Sequence, residues 1–267
     1  MDKRLDVALV ERGMVKSRTQ AQELIDKAQI LVDGKPVFKA SHKVADSSLI
    51  KIQGETLRYV GRGGLKLEKA LQVFQISLQG KICADIGAST GGFTDCMLQS
   101  GAQRVYAIDA GHDQLDARLK ADVRVINLER QNIRTMEPSL MPEAADFAAV
   151  DVSFISLKLV IPQILTLLDS HGELVALIKP QFEAGKNQVG KNGIIKSIKV
   201  HQQVLTDLID YFNAIISVKA IDFSPILGGE GNIEYLLYAS KQSAHAVCEP
   251  RKVIQMAFDQ LKGGITN

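Results

Sequence analysis

A chain of 267 residues, 46% of them hydrophobic and with a formal net charge of +2, can bury a sizeable core and divides naturally into one medium domain plus a small one. No apolar run approaches the roughly 18 residues that a membrane span needs, and the start Met-Asp-Lys-Arg-Leu-Asp lacks the apolar stretch of a signal peptide. Cys83, Cys96 and Cys248 are few, odd in number and outside any metal-ligand spacing, so they are expected to be reduced thiols in a cytoplasmic protein that holds no metal.

The first sixty residues carry 11 Lys+Arg against 8 Asp+Glu, a net of +3, whereas residues 61–267 carry 21 against 22, a net of −1. Within this basic end, Leu5, Ala8 and Leu9 recur at helical spacing between Arg4 and Arg12, and Gly13 sits where that helix would stop. Ser17-Arg18-Thr19-Gln20 reads as a capping box that opens a second helix with Ala21, Leu24 and Ile25 inward. A hairpin follows, in which Asp33-Gly34 turns between Ile30-Leu31-Val32 and Pro36-Val37-Phe38. Arg4, Arg12, Lys16, Arg18, Lys27 and Lys35 lie on the polar side, where basic groups near helix starts and turns suit phosphates. Charge alone leaves an RNA-binding face and an ordinary solvated face equally supported.

Beyond this module strands and helices alternate, which predicts an α/β fold with a mostly parallel sheet covered on both faces. The expected strands are Lys81 to Ile86, Arg104 to Asp109, Val123 to Asn127, Phe147 to Asp151, Glu173 to Lys179, Val218 to Phe223 and Glu234 to Ala239. After the first comes Asp85-Ile-Gly-Ala-Ser-Thr-Gly-Gly-Phe-Thr-Asp95, in which Gly87, Gly91 and Gly92 allow sharp bends and close approach to a ligand. Asp109 ends the next strand, where a ribose-binding carboxylate sits in nucleotide-binding βαβ units. Asp85 at the mouth would repel a pyrophosphate and welcome an ammonium. That favours S-adenosyl-L-methionine over a dinucleotide, with Asp85, Gly87, Ser89, Gly91 and Gly92 around its methionine part, Asp109 on the ribose and Asn132 near the adenine. The polar, glycine- and lysine-rich interval Pro180 to Lys196 reads as a loop at the carboxyl end of a strand, the edge where open α/β sheets bind ligands. Val253 to Phe258 reads as an ordinary amphipathic helix.

Asp151 and Lys179 end their strands on that edge, Glu234 opens the last strand there, and Lys66 begins the helix that precedes the first strand. Two lysines and two carboxylates converging at one edge would keep each other charged. Methyl transfer to a ribose 2′-hydroxyl needs that hydroxyl aligned and relieved of its proton. Lys179 is the candidate to bind or deprotonate it, Asp151 and Lys66 to orient it, and Glu234 to hold the lysines in register. Base methylation would call for a cysteine nucleophile or an Asn-Pro-Pro-aromatic motif, and Asp151-Val152-Ser153-Phe154 stands at that strand end instead.

The run "RLDVALVERGMVKSRTQAQELIDKAQILVDGKPV" resembles the S-four RNA-binding domain throughout, and "YVGRGGLKLEKAL", "ADIGASTGGFTD", "AVDVSFISL", "IKPQFE" and "GGEGNIEYL" resemble the TlyA-type ribosomal RNA 2′-O-methyltransferases, which join that domain to an FtsJ-like Rossmann methyltransferase. The resemblance implies a Rossmann-like class I methyltransferase with a seven-stranded sheet over residues 65–267, an S-four-type α+β domain over residues 1–58, and a linker over residues 59–64 that influences cofactor binding. It puts the family's Lys-Asp-Lys-Glu tetrad on Lys66, Asp151, Lys179 and Glu234. It further implies cytidine riboses of large-subunit RNA, and in some members small-subunit RNA, as substrates within ribosomal subunits; a cytidine flipped out near Lys179 is expected because the 2′-hydroxyl must be brought to the methyl group. Family members are also called haemolysins, but the chain shows neither spanning segments nor a strongly amphipathic surface helix. A non-catalytic RNA-binding assembly factor is the other alternative, and the intact cofactor and tetrad residues speak against it.

Overall fold

A computed structural model describes residues 2–15, 17–26, 29–52, 58–190, 192–229, 231–242 and 248–262. The chain divides into two compact units, Met1–Gly64 and Leu65–Asn267.

In the first unit, β1 (Lys3–Arg4) leads into α1 (Leu5–Glu11), α2 (Arg18–Asp26), β2 (Ile30–Val32), β3 (Lys35–Pro36), β4 (Lys43–Val44) and β5 (Ile50–Ile52). Leu5, Ala8 and Leu9 of α1 and Ala21 and Ile25 of α2 are buried in one core with Ile30. The capping bond is present, from the Gln20 amide to Ser17 Oγ at 3.1 Å. Asp33 and Gly34 have φ of 51° and 79°, the left-handed pair that a two-residue hairpin turn requires. The second hairpin strand is shorter than its apolar run suggests, although the Val37 amide still donates to the Ile30 carbonyl and its side chain enters the core. The pairing of β5 with β2 and of β1 with β4 joins residues distant in sequence, which local patterns do not announce.

The second unit is a seven-stranded sheet. α3 (Gly63–Val73) precedes β6 (Ile82–Ile86), followed by α4 (Gly92–Gln99), β7 (Arg104–Asp109), α5 (Ala117–Lys120), β8 (Val125–Glu129), β9 (Ala145–Val150), α6 (Ile161–Leu167), β10 (Leu168–Ile178), α7 (Pro180–Glu183), α8 (Ile198–Asn213), β11 (Ser217–Phe223), β12 (Tyr235–Ser240) and α9 (Pro250–Lys262). The strand order is β11-β12-β10-β9-β6-β7-β8. β6, β7, β8, β9 and β10 run parallel, and β12 is antiparallel to both of its neighbours. The central strands are apolar because both faces are covered: Phe147, Ala148, Ala149 and Val150 of β9 and Leu174 to Ile178 of β10 are all buried. α8 buries His201, Val204, Leu205, Leu208 and Phe212 at helical spacing, and α9 buries Ile254, Ala257 and Phe258, as an amphipathic helix on a sheet should.

Several expected boundaries move, and three of the shifts have a visible cause. β8 starts at Val125, since Asp122 accepts the Arg124 amide in a tight turn and leaves Val123 out of the sheet and 93% exposed. β10 begins at Leu168, because the polar Asp-Ser-His-Gly run is carried through an irregularity in its pairing with β9. The interval after Lys179 is not loop throughout: Pro180, which suits a first helical turn, starts α7, and a further 3-10 turn spans Lys186–Gln188.

Strand order reverses between β6 and β9, and at that switch point the chain must bend hard. Gly87 follows β6 with φ of 87°, and a Cβ there would overlap the Asp151 backbone carbonyl. Gly87→Ala is expected to destabilise the protein by about 2 kcal/mol or more, from left-handed backbone strain plus displacement of the Asp151 segment. Urea unfolding with unchanged stability would refute this.

Candidate active site

The carboxyl edge gathers the four charged residues into two ion pairs. Asp151 follows β9 directly, and its amide donates to the Ile86 carbonyl at 2.9 Å, which fixes it beside the β6 turn. Lys179 caps α7 at the end of β10. Its ammonium lies 2.6 Å from Asp151 Oδ1 as an ion pair and gives its aligned hydrogen bond to Ser153 Oγ at 2.7 Å. Lys66 Nζ, on α3, donates to Glu234 Oε2 at 2.6 Å, with both side chains under 10% exposed. The Ser224 amide donates to the Glu234 carbonyl, and Gly228 leaves the space that the Glu234 carboxylate occupies. Ile178 pairs with Tyr235 across the β10–β12 ladder. Continuing that antiparallel register one position sets Lys179 opposite Glu234, so the two ion pairs are neighbours on one edge.

Beside them lies a cavity of about 540 Å³, lined among others by Gly87, Ser89, Asp109, Asn132, Asp151 and Phe154. Asp109 is held open toward it by two backbone donors: the Ser89 amide gives to Oδ2 and the Gly111 amide to Oδ1, each at 2.7 Å. Asn132 lines the cavity while its Oδ1 accepts the Arg134 amide at 3.1 Å, a local turn bond. Gly91, with φ of 96°, opens α4 and leaves room for the Leu119 and Leu115 side chains; Gly92 is the first residue of that helix. Neither of these two glycines lines the cavity, and their contribution is to the bend.

Asp85 lies at the end of β6 and does not itself line the cavity. It is fully buried, and its Oδ2 accepts the Thr94 amide at 2.8 Å and Thr94 Oγ1 at 2.6 Å, anchoring the start of α4. Oδ1 is buried and has no hydrogen-bond partner. Burial pushes the carboxyl up to about 7, although the two Thr94 bonds pull it down. An unpartnered buried carboxylate oxygen is costly unless a donor or cation completes it.

Sequence reasoning passed over Phe154, Phe182 and Glu183. Phe154 has φ of 63° and is 87% exposed, and its ring packs on Phe182 with centroids 4.9 Å apart. The only local signal for it was an aromatic three residues past a strand-end aspartate. Glu183 accepts Ser156 Oγ at 2.6 Å and the Leu157 amide at 2.8 Å, and burial raises its carboxyl above the ordinary range.

In the first unit the expected basic face separates into different roles. Asp6, only 4% exposed, accepts Arg4 Nε at 3.0 Å and Arg18 Nη2 at 2.6 Å, so one carboxylate holds two guanidiniums together. The hydrogen bond from Arg4, reinforced by Arg18, lowers the Asp6 carboxyl to about 2 despite its burial. Arg12 instead donates to the backbone carbonyls of Ala45, Asp46 and Ser48, which clamps that loop. Lys35 is exposed on β3, and Lys16 and Lys27 lie outside the described residues. Cys83, Cys96 and Cys248 are free thiols. Among the described residues no helix is long and apolar enough to cross a membrane, and no group of three or more His, Cys, Asp or Glu is placed to hold a metal ion.

A parallel sheet with one reversed strand, a glycine-bent switch point and a charged carboxyl edge define a Rossmann-like methyltransferase, here preceded by a small basic unit. The FtsJ-like methyltransferase family model matches residues 59–241 and the S4 domain model residues 3–50. The chain is 47% identical to YqxC of Bacillus subtilis, named as an rRNA methyltransferase, over 88% of this chain and 84% of that protein. It is 38% identical to the 16S/23S rRNA (cytidine-2′-O)-methyltransferase TlyA of Mycobacterium tuberculosis over 91% of this chain and 92% of that one. A solved structure of a hemolysin-named protein from Streptococcus thermophilus superimposes with a TM-score of 0.77 at 42% identity, over 98% of both chains. The chain belongs to the FtsJ-like methyltransferase family, in its TlyA-type branch with an S4 domain ahead of the catalytic unit.

The Asp6 cluster carries a pH dependence. Because the folded carboxyl lies below its usual value, the stability it contributes is present above about pH 4 and is lost as pH falls toward 2. Asp6→Asn is expected to cost about 1–2 kcal/mol at pH 7, the exposed arginines screening part of the pairing. In urea unfolding of the full chain, the gap from wild type should close between pH 4 and pH 2, and a gap independent of pH would exclude this account.

Proposed function

We propose that the protein transfers a methyl group from S-adenosyl-L-methionine to the 2′-hydroxyl of a cytidine in ribosomal RNA. The observation that carries this reading is Lys179, whose ammonium is held by Asp151 and Ser153 beside a cavity bordered by an exposed aromatic ring. The family membership and the names of the relatives support the reaction class, and those names supply the cytidine.

The residues present fit the cofactor. Asp109 would take its ribose hydroxyls, Asn132 would meet the adenine, and Ser89 with the Gly87, Gly91 and Gly92 bend would surround its methionine part. The orphaned Asp85 Oδ1 supplies the anion that a cationic amine on that part would complete. The bound sulfonium supplies an activated methyl group. Lys179, held in place by Asp151 and Ser153, would bind the 2′-hydroxyl and assist removal of its proton as the new O–C bond forms. Lys66 and Glu234 would support that arrangement from the neighbouring strand. Such positioning and proton removal are what an O-methylation asks of its protein.

Bringing the 2′-hydroxyl to Lys179 in line with the methyl group would be met by flipping the target nucleotide out of its stack. The exposed face of Phe154 suits the displaced base, since aromatic stacking contributes about 1–3 kcal/mol per base. Residues 1–58 would grip RNA phosphates through the Asp6-oriented Arg4 and Arg18, together with Lys35, Lys16 and Lys27, while Arg12 holds the loop that shapes this face. Residues 59–64 would link that part to the methyltransferase of residues 65–267. Such a substrate would put this chemistry in the cytoplasm, on ribosomal subunits.

Purified protein with tritiated S-adenosyl-L-methionine and separated ribosomal subunits tests the assignment. Label is expected on a cytidine 2′-O-methyl, and Lys179→Ala should lower kcat by about 10²–10⁴-fold with little change in cofactor affinity. Absence of label on both subunits, with cofactor binding intact, would overturn the proposed substrate. Because Asp85 must be ionised to attract an amine and sits near 7, cofactor affinity should rise from pH 6 to pH 8 in wild type and stay flat in Asp85→Asn. Equal pH profiles for the two would remove Asp85 from cofactor binding.

A further inference from the structure

Phe154 is held in a conformation that its own backbone resists. A non-glycine residue with φ of 63° is strained, and at 87% exposure the ring recovers little by burial. Something else must hold the segment. The contacts lie just downstream: Glu183 Oε2 accepts Ser156 Oγ at 2.6 Å, and Glu183 Oε1 accepts the Leu157 amide at 2.8 Å. Ser156 Oγ in turn accepts the Lys158 amide and starts the 3-10 turn Leu157–Leu159. Glu183 sits one residue after Phe182, whose ring is the partner of Phe154, and four after Lys179. A single carboxylate therefore ties the segment that follows Asp151 to the helix that follows Lys179, and these are the two segments that carry the Lys179–Asp151 ion pair.

We propose that Glu183 is a positioning residue for the RNA substrate: through Ser156 and the Leu157 amide it holds Phe154 against Phe182, so that the two rings form a preset platform for the nucleobase attached to the reacting ribose. This rests on the base-stacking reading of Phe154 given above. Without the strap the segment relaxes from its left-handed backbone, and each binding event must order it again, a cost that appears as weaker RNA binding. The segment also borders the cofactor cavity at Val152 to Ile155, whereas the Asp109 and Gly87 walls lie outside it, so RNA binding is affected more than cofactor affinity.

The test is steady-state methylation of ribosomal subunits by full-length variants, with the cofactor Kd measured separately by calorimetry. Glu183→Ala is expected to raise KM for the subunit about tenfold, while changing the cofactor Kd less than twofold. Glu183→Gln should restore most of the loss, since its amide oxygen still accepts the Leu157 amide and its NH2 can donate to Ser156 Oγ. Ser156→Ala, a smaller change that spares the carboxylate, should raise KM about threefold and guards against a misfolded Glu183→Ala protein. The deciding comparison is Glu183→Ala in a Phe154→Ala background. If Glu183 acts through Phe154, the double variant should be no worse than Phe154→Ala alone. Full additivity, or an unchanged KM in both Glu183→Ala and Ser156→Ala, overturns the inference while leaving base stacking intact. An unchanged KM in Phe154→Ala overturns the stacking reading and this inference with it.

Discussion

A lysine placed at the end of a buried strand keeps its charge only if an anion comes with it, and this requirement organises the carboxyl edge of the sheet. Lys66 and Glu234 are separated by 168 residues and meet at 2.6 Å with both side chains nearly inaccessible. Lys179 and Asp151 meet at the same distance at the ends of adjacent parallel strands. Removing one partner from such a pair leaves a buried charge without compensation, which costs about 3–5 kcal/mol. Each pair also joins elements at that edge: α3 to the residue before β12, and the exit of β9 to the exit of β10, two strands already paired by their ladder. The site is therefore also part of what keeps the edge assembled.

The same edge concentrates backbone conformations that most residues avoid. Gly87, Ser89, Gly91 and Phe154 all have positive φ. At Gly87 and Gly91 the missing side chain admits the Asp151 carbonyl and the leucines of the α5 region. Ser89 and Phe154 have side chains, so each needs an external restraint. The Ser89 amide has the Asp109 carboxylate, and the Phe154 segment has Glu183. Strain held by hydrogen bonds from outside the strained segment is characteristic of sites built before their ligand arrives.

How far the chain could be read in advance depends on the range of the forces involved. Asp33-Gly34 announces its hairpin because left-handed backbone is a local property, and α9 announces itself because Ile254, Ala257 and Phe258 fall on one face whatever they pack against. Val123 and the Asp-Ser-His-Gly run were misjudged for the complementary reason: whether a residue joins a ladder depends on the neighbouring strand. The basic residues of the first unit looked alike in sequence. Only folding distinguishes Arg4 and Arg18, gathered by Asp6, from Arg12, which is committed to three carbonyls of a loop more than thirty residues away. Asp85 was legible only as a carboxylate at a strand end; that Thr94 takes its Oδ2 while its Oδ1 stays buried without a partner depends on how the start of α4 packs against β6.

By itself the sequence determined the order of strands and helices, the glycine bend after β6, and which charged residues stand at strand ends, since these follow from local periodicity and from the conformational freedom of single residues. The tertiary structure decided the pairing. Lys66 with Glu234, Lys179 with Asp151, and Glu183 with the Phe154 segment are contacts across the sheet edge, set by strand order and register, and no local pattern encodes which distant residue a side chain will reach.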